Sequence, residues 1–238
     1  MWAWKEITVD DSVTITTPDT YGILNSLFEK KLRNPEFFEL TVKSFELSSM
    51  LKKQKLVITE SLKSNENVSL FDHQILAAEK MIDEFGCNGL LADEVGLGKT
   101  VEAGIIIKEL ITTGVTKNTL ILTPPSLVNQ WQDELQTKFN LSFAQKDDSD
   151  FIDPASHELL IFSHSSATSP RKSKFLKKRN WDMVIVDEAH SMKNSSTLKH
   201  QLLKELSRKF TLFLSATPIQ NNLSELYNLV ELLKPGTF

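Results

Sequence analysis

Two short stretches of this chain carry residue types that handle phosphate and water. Residues 92–100 read Ala-Asp-Glu-Val-Gly-Leu-Gly-Lys-Thr, and residues 187–190 read Asp-Glu-Ala-His. Gly96 and Gly98 permit a close backbone wrap whose N–H groups turn inward as an anion nest. Lys99 is spaced to reach the β- and γ-phosphates of a nucleotide, and the Thr100 hydroxyl to bind magnesium. The helix that begins there offers its positive end to the same charge. Asp187, at the end of an apolar run, suits Mg²⁺ held through water, and Glu188 suits orienting that water or taking its proton. The pair of motifs points to hydrolysis of a nucleoside triphosphate, with ATP and Mg²⁺ as cofactors. One position departs from G-x-x-x-x-G-K-[ST]: Asp93 stands where that pattern has glycine.

Around this pair stand residues that could couple it to something else. His190 follows the two carboxylates, and Ser215-Ala216-Thr217 follows the apolar Leu212-Phe213-Leu214. Short hydroxyl side chains at a strand end can hydrogen-bond His190 or Glu188 from a neighbouring loop. His73, His157, His164 and His200 show no metal-ligand spacing, which favours a polar coupling role for His190 over a metal site. Arg171, Lys172, Lys174, Lys177, Lys178 and Arg179 place six cations in nine residues without an acid. They read equally as a phosphate-contacting face and as a solvated helix, whose inner side Phe175 and Leu176 would supply.

These groups need a scaffold that brings distant loops to one place. From residue 69 onward, short apolar runs alternate with helical periodicity. Strands are expected at 89–92, 119–122, 159–162, 183–186 and 211–214, and helices at 70–85, 99–111, 126–139, 197–206 and 223–233, with Ser126 capping the third. Residues 147–150 and 165–174 read as polar connectors. Strands without polar alternation, separated by helices, indicate a parallel sheet covered on both faces. The fold class is therefore α/β, a doubly wound parallel sheet of the P-loop NTPase kind, with its loops at the strand C-termini. Residues 1–68 differ: β-branched runs at 7–9 and 13–16, then helical patterns over 23–32 and 37–51, give a small α/β appendage of undetermined role.

Bulk properties exclude several classes. The 238 residues carry a net charge of −4, so any nucleic-acid binding must use a local basic face. The single cysteine, Cys87, excludes an internal disulfide, fits a reducing compartment and reads as a small buried residue. No apolar run approaches the ~20 residues that span a bilayer. Glu6 and Asp10-Asp11 stand where a signal peptide would be apolar, which points to an intracellular protein.

Whole phrases then resemble one family. Residues 91–100, Asp187-Glu188-Ala189-His190 with Lys193-Asn194, and above all residues 215–236 are similar to the first RecA-like lobe of SWI/SNF-type ATPases. These are DNA-dependent, DEAH-box members of the superfamily-two helicases. The resemblance covers about residues 69–238. In that family an acidic residue at Asp93 is normal, and Asp93, Glu94, Gly96, Leu97, Gly98, Lys99 and Thr100 are implied to bind nucleotide. Leu70-Phe71-Asp72-His73-Gln74 resembles the upstream motif whose glutamine contacts adenine, which assigns Gln74. Thr123-Pro124-Pro125-Ser126-Leu127 resembles the segment that touches a DNA backbone, which assigns Pro124, Pro125 and Ser126, with Arg171, Lys172 and Lys174 as further phosphate contacts. Trp131 is expected to pack in the core, and Ile161–His164 falls where the family has another strand-tracking motif.

The resemblance implies a translocase that couples ATP hydrolysis to movement on double-stranded DNA, cytoplasmic and of bacterial type, with nucleoid association open. It also implies a second RecA-like lobe that brings arginine fingers, which nothing in this sequence supplies. Alone, the chain is expected to bind nucleotide, hydrolyse it slowly and not translocate. The competing reading is a non-catalytic nucleotide sensor or scaffold, acting on a protein partner through residues 1–68.

Overall fold

The computed structural model describes residues 5–10, 13–17, 56–59, 62, 70–92, 98–145, 157–216 and 223–233. The chain divides into two compact units, Met1–Lys53 and Gln54–Phe238. In the first, β1 (Lys5–Asp10) pairs antiparallel with β2 (Val13–Thr17), with a shift of register between Thr8 and Asp10. The helical patterns expected over 23–51 lie outside the described residues.

Among the described residues the second unit is built on five strands: β3 (Asn88–Leu91), β4 (Thr119–Thr123), β5 (Leu159–Ser163), β6 (Trp181–Val186) and β7 (Arg208–Leu214). Their order in the sheet is β3-β7-β6-β4-β5, and every pairing is parallel. Alternate residues enter two separate cores. Ile121, Ile161, Ile185 and Leu212 face one layer, Leu122, Phe162, Val186 and Phe213 the other, and all eight are essentially inaccessible to solvent. This is why the strands read as continuous apolar runs.

On the first face lie α1 (Asp72–Asp83), α2 (Lys99–Thr112) and α3 (Val128–Phe139). The second face carries α4 (His164–Ala167), α5 (Pro170–Lys178), α6 (Leu198–Glu205) and α7 (Leu223–Leu233). Helix α3 buries Val128, Trp131, Leu135 and Phe139 at helical spacing and ends at Asn140, in the left-handed conformation that asparagine tolerates. Helix α2 is buried along most of its length, and at Gly104 an added Cβ would lie within 2.7 Å of three atoms of the Phe139 ring. Glycine here sets how closely α2 approaches α3.

Three expectations need correction. Ser126 does not cap α3: Pro125–Leu127 form a 3₁₀ turn, and the residue before the α-helix is Leu127. Proline at the head of that turn fixes its backbone, so the helix starts two residues later than the polar pattern suggests. The polar stretch 165–174 is helical, in α4 and α5, because Ala167 and Leu176 give it buried anchors. Residues 54–68, read from their pattern as part of the appendage, fall in the second unit. There the Glu109 carboxylate of α2 accepts the backbone N–H groups of Val57 and Ile58, each at 3.1 Å, while Leu56, Ile58 and Leu62 join the core.

Polar staples close the lower edge of the sheet. Arg208 donates to the carbonyls of Leu203, Leu206 and Leu232, tying the ends of α6 and α7 to the start of β7. Asp182 on β6 accepts from the backbone N–H groups of Lys117 and Asn118 and, at 2.6 Å, from Lys209. Burial pushes its pKa up, but the Lys209 ammonium and the two N–H donors outweigh that and hold it at about 2.

Gly104→Ala should cost about 1–3 kcal/mol of stability by overpacking against a fixed ring, read from urea unfolding. A neutral result would mean that α2 and α3 can move apart freely. A depressed carboxylate pKa gives stability that is full above the unfolded value of 3.8 and lost as pH falls through about 2. The urea midpoint should therefore drop more between pH 4 and 2 for the native chain than for Asp182→Asn.

Candidate functional site

Because all five strands run the same way and in register, their C-terminal ends form one edge. Leu91 lies opposite Leu214, Val186 opposite Phe213 and Leu122, and Thr123 opposite Ser163. The residues that follow each strand therefore gather there: Ala92 after β3, Ser215 after β7, Asp187 after β6, Pro124 after β4 and His164 after β5. Of the nucleotide-loop residues, Asp93, Glu94, Gly96 and Leu97 lie outside the described residues, as does Thr217.

The described end of the loop is Gly98, at φ +93°, directly before α2. Lys99 and Thr100 form the first turn of that helix, both partly exposed. A Cβ at residue 98 would run into the amide nitrogen of Gln74. Gln74 is buried on α1, and its Oε1 accepts the backbone N–H of Phe71 at 3.2 Å. The structure thus brings Gln74 against the end of the phosphate loop, a juxtaposition that 24 residues of separation do not reveal.

Asp187 is 8% exposed, and three donors hold its carboxylate. Its Oδ2 accepts the Trp131 indole N–H at 2.8 Å and the Thr123 hydroxyl at 3.0 Å, and its Oδ1 accepts the Glu188 N–H at 2.9 Å. Trp131 is buried as expected, but the sequence gives no sign that its ring nitrogen reaches a carboxylate 56 residues away. Glu188 adopts φ +50°, a left-handed conformation uncommon for a residue with this side chain, and a 3₁₀ turn over Ala189–Met192 follows it.

His190 Nδ1 lies 3.0 Å from Glu188 Oε2 and 3.5 Å from Ser215 Oγ. Three of the four residues expected to couple the site, His190, Ser215 and Ala216, lie in the described edge region, and the first two are in contact. His164, buried behind this segment, has its Nδ1 3.4 Å from Ser191 Oγ. Burial lowers its pKa to about 4, with the Lys199 charge adding to the shift, so it is neutral at physiological pH.

The candidate phosphate-contacting residues divide. Pro125, Ser126, Arg171 and Lys174 are exposed and Pro124 partly so. Lys172 is not available on that face: it is buried, its Nζ donates to Ser166 at 2.8 Å and lies 5.8 Å from the centre of the Phe162 ring. A long aliphatic stem can cover apolar surface in this way, so a cationic run does not make every member a surface charge. Cys87 is buried, and burial beside Asp83 pushes its thiol to about 12, which makes it inert.

Among the described residues no cluster of three or more His, Cys, Asp or Glu could cage a metal. The donors present fit magnesium of the kind held by one carboxylate, one hydroxyl, phosphate oxygens and water. No helix among these residues is long and apolar enough to cross a membrane.

A parallel sheet with a glycine-ended loop entering a helix at one strand and an Asp-Glu pair at another defines the P-loop, RecA-like class of α/β protein. The SNF2-related domain matches residues 63–238, and the chain belongs to that family. It is 43% identical to an uncharacterized ATP-dependent helicase, YqhH, of Bacillus subtilis (strain 168), over 69% of this chain and 29% of that protein. It is 31% identical to the RNA polymerase-associated protein RapA of Proteus mirabilis (strain HI4320), over 98% of this chain and 25% of the relative. The chain thus spans under a third of the length of these curated relatives. In structure it is similar to the Sulfolobus solfataricus SWI2/SNF2 ATPase core in complex with dsDNA, with a TM-score of 0.66 and 27% identity, over 72% of this chain and 37% of that one.

If Gln74 and Gly98 touch as described, Gly98→Ala should destabilise the fold by about 1–2 kcal/mol through its positive φ alone, with a further steric share. Gln74→Ala in the same chain should recover the steric share only. A double-mutant cycle in urea measures it, and additive effects would mean that the two residues do not press on one another.

Proposed function

We propose that this chain is the ATP-binding lobe of a DNA-dependent ATPase that moves along double-stranded DNA. The carrying observation is the single sheet edge that collects Lys99 and Thr100, the Asp187-Glu188-His190 segment and Ser215 in a member of the SNF2-related family. Lys99 binds the β- and γ-phosphates, assisted by the N-terminus of α2. Thr100 and Asp187 hold magnesium, which when bound supplies charge neutralisation on the phosphates. Glu188 orients the attacking water, and its pairing with His190 links it to Ser215, so that events at the β7 loop reach the water-positioning carboxylate. Gln74, beside the loop, is assigned to adenine.

Double-stranded DNA is the proposed track, supported by the dsDNA complex of the structural relative. Exposed Pro125, Ser126, Arg171 and Lys174 are its proposed contacts in this lobe, with Lys172 left inside the fold. Turnover and movement need a second RecA-like lobe with its arginine finger, worth about 10³–10⁵ in rate. The appendage is proposed to dock a protein, through residues 1–53 of the first unit. The alignment with RapA runs over 98% of this chain and so includes them, and that relative is named for its association with RNA polymerase. Action on DNA suits a cytoplasmic, nucleoid-associated protein.

Calorimetric titration of the 238-residue chain with MgATP tests the site. Lys99→Ala should weaken binding by about 10- to 100-fold, the loss of one charge-assisted contact, whereas Glu188→Gln should bind as the native chain does. No binding by the native chain would favour the scaffold reading, in which residues 1–68 act without nucleotide.

A further inference from the structure

We infer that Trp131 and Thr123 are positioning residues for the metal-binding carboxylate, which rests on the assignment of Asp187 to magnesium. Both donate to the same atom, Asp187 Oδ2, at 2.8 and 3.0 Å, and both are buried, at 2% and 0% exposure. Neither donor is required by local structure. The Trp131 ring would fill its place in α3 equally well with a carbon at that position, and Thr123 ends β4, where the backbone already pairs with β5 and β6.

What the two donors do is fix a rotamer. With Oδ2 pinned from α3 and from β4, and Oδ1 engaged by one N–H only, Oδ1 is the oxygen with capacity left for a metal-bound water. A carboxylate this deeply buried that lost its donors would gain solvation by turning, and the turn takes its free oxygen out of the orientation that these donors set. One effect opposes this: two donors withdraw charge from the carboxylate and so weaken its pull on a cation. In a site whose oxygens are held through outer contacts, orientation is the larger effect, and loss of such a contact typically costs about 10- to 100-fold in metal affinity.

The two donors also bracket the 124–127 turn, one just before it and one on the first turn of the helix after it. The turn and the carboxylate are therefore held as one rigid piece.

The test is ATP binding by the 238-residue chain, measured by calorimetry in EDTA and across a magnesium titration. Trp131→Phe keeps the ring and removes the N–H, Thr123→Val keeps the shape and removes the hydroxyl, and Thr123→Ser keeps the donor. The first two should raise the magnesium concentration for half-maximal enhancement about 10-fold while leaving affinity in EDTA unchanged. Thr123→Ser should stay within about twofold of the native chain, since its donor is retained. Unchanged magnesium dependence in both donor-less variants, or a tighter magnesium response, overturns the inference while sparing the nucleotide site. Equal loss of binding with and without magnesium overturns it as well, since that marks general disruption. If Trp131→Phe fails to fold, the Thr123→Val and Thr123→Ser pair decides. Absence of magnesium-enhanced binding in the native chain overturns both this inference and the functional reading beneath it.

Discussion

Everything at the candidate site depends on five strands running parallel and in register. Residues separated by more than a hundred positions, such as Gly98 and Ser215, belong to one edge only because Leu91 pairs with Leu214 and Val186 with Phe213. A slip of one residue in any strand would exchange its two buried faces, and both faces are packed with large side chains. The register is thus fixed by two cores at once, which is a stronger constraint than the one-sided burial of most antiparallel sheets. The placement of residues at that edge is inherited from the packing of the strands.

Rigidity is distributed unevenly to match. Helix α2, whose first turn carries Lys99 and Thr100, is buried over most of its length, pressed onto Phe139 at Gly104 and tied to residues 57 and 58 through Glu109. A helix so enclosed cannot shift its N-terminus without disturbing the core, which suits the phosphate-binding role proposed for Lys99. The 188–192 segment is anchored by buried Ala189 and Met192, while its polar side chains rest on single contacts, His190 on Glu188 and Ser191 on His164. Contacts of this kind can be exchanged one at a time, at far smaller cost than moving α2.

Sequence alone made the architecture legible because burial on both faces leaves a plain mark, a continuous apolar run ending in a polar loop. It also carried the motifs at 98–100 and 187–190, since phosphate and metal chemistry demand particular side chains at fixed local spacing. What it could not carry were contacts between motifs. Trp131 is apolar by composition and was expected in the core, where it is, yet its one polar atom finds Asp187. Lys172 shows the reverse error: charge suggested the surface, while the Phe162 ring and the Ser166 hydroxyl receive its amine inside. Ser126 has the side chain of a helix cap, but Pro125 starts a separate turn that holds it away from the first residue of α3. In each case the deciding partner lies on another element.

The geometry of His190 shows why such partners matter for function. Its Nδ1 carries at most one proton and faces two acceptors, the Glu188 carboxylate at 3.0 Å and the Ser215 hydroxyl at 3.5 Å. In this arrangement the shorter, charge-assisted contact dominates, so Glu188 is committed to His190 and the bond to Ser215 is weak. Shortening the second contact requires lengthening the first, because one hydrogen cannot serve both well. A closer Ser215 contact would therefore loosen the hold of His190 on the Glu188 carboxylate. The backbone of Glu188, held at φ +50° and anchored through its N–H to Asp187, keeps that exchange apart from the Asp187 carboxylate. Asp187 is made fixed and Glu188 adjustable by their immediate partners, although the two residues are adjacent in sequence.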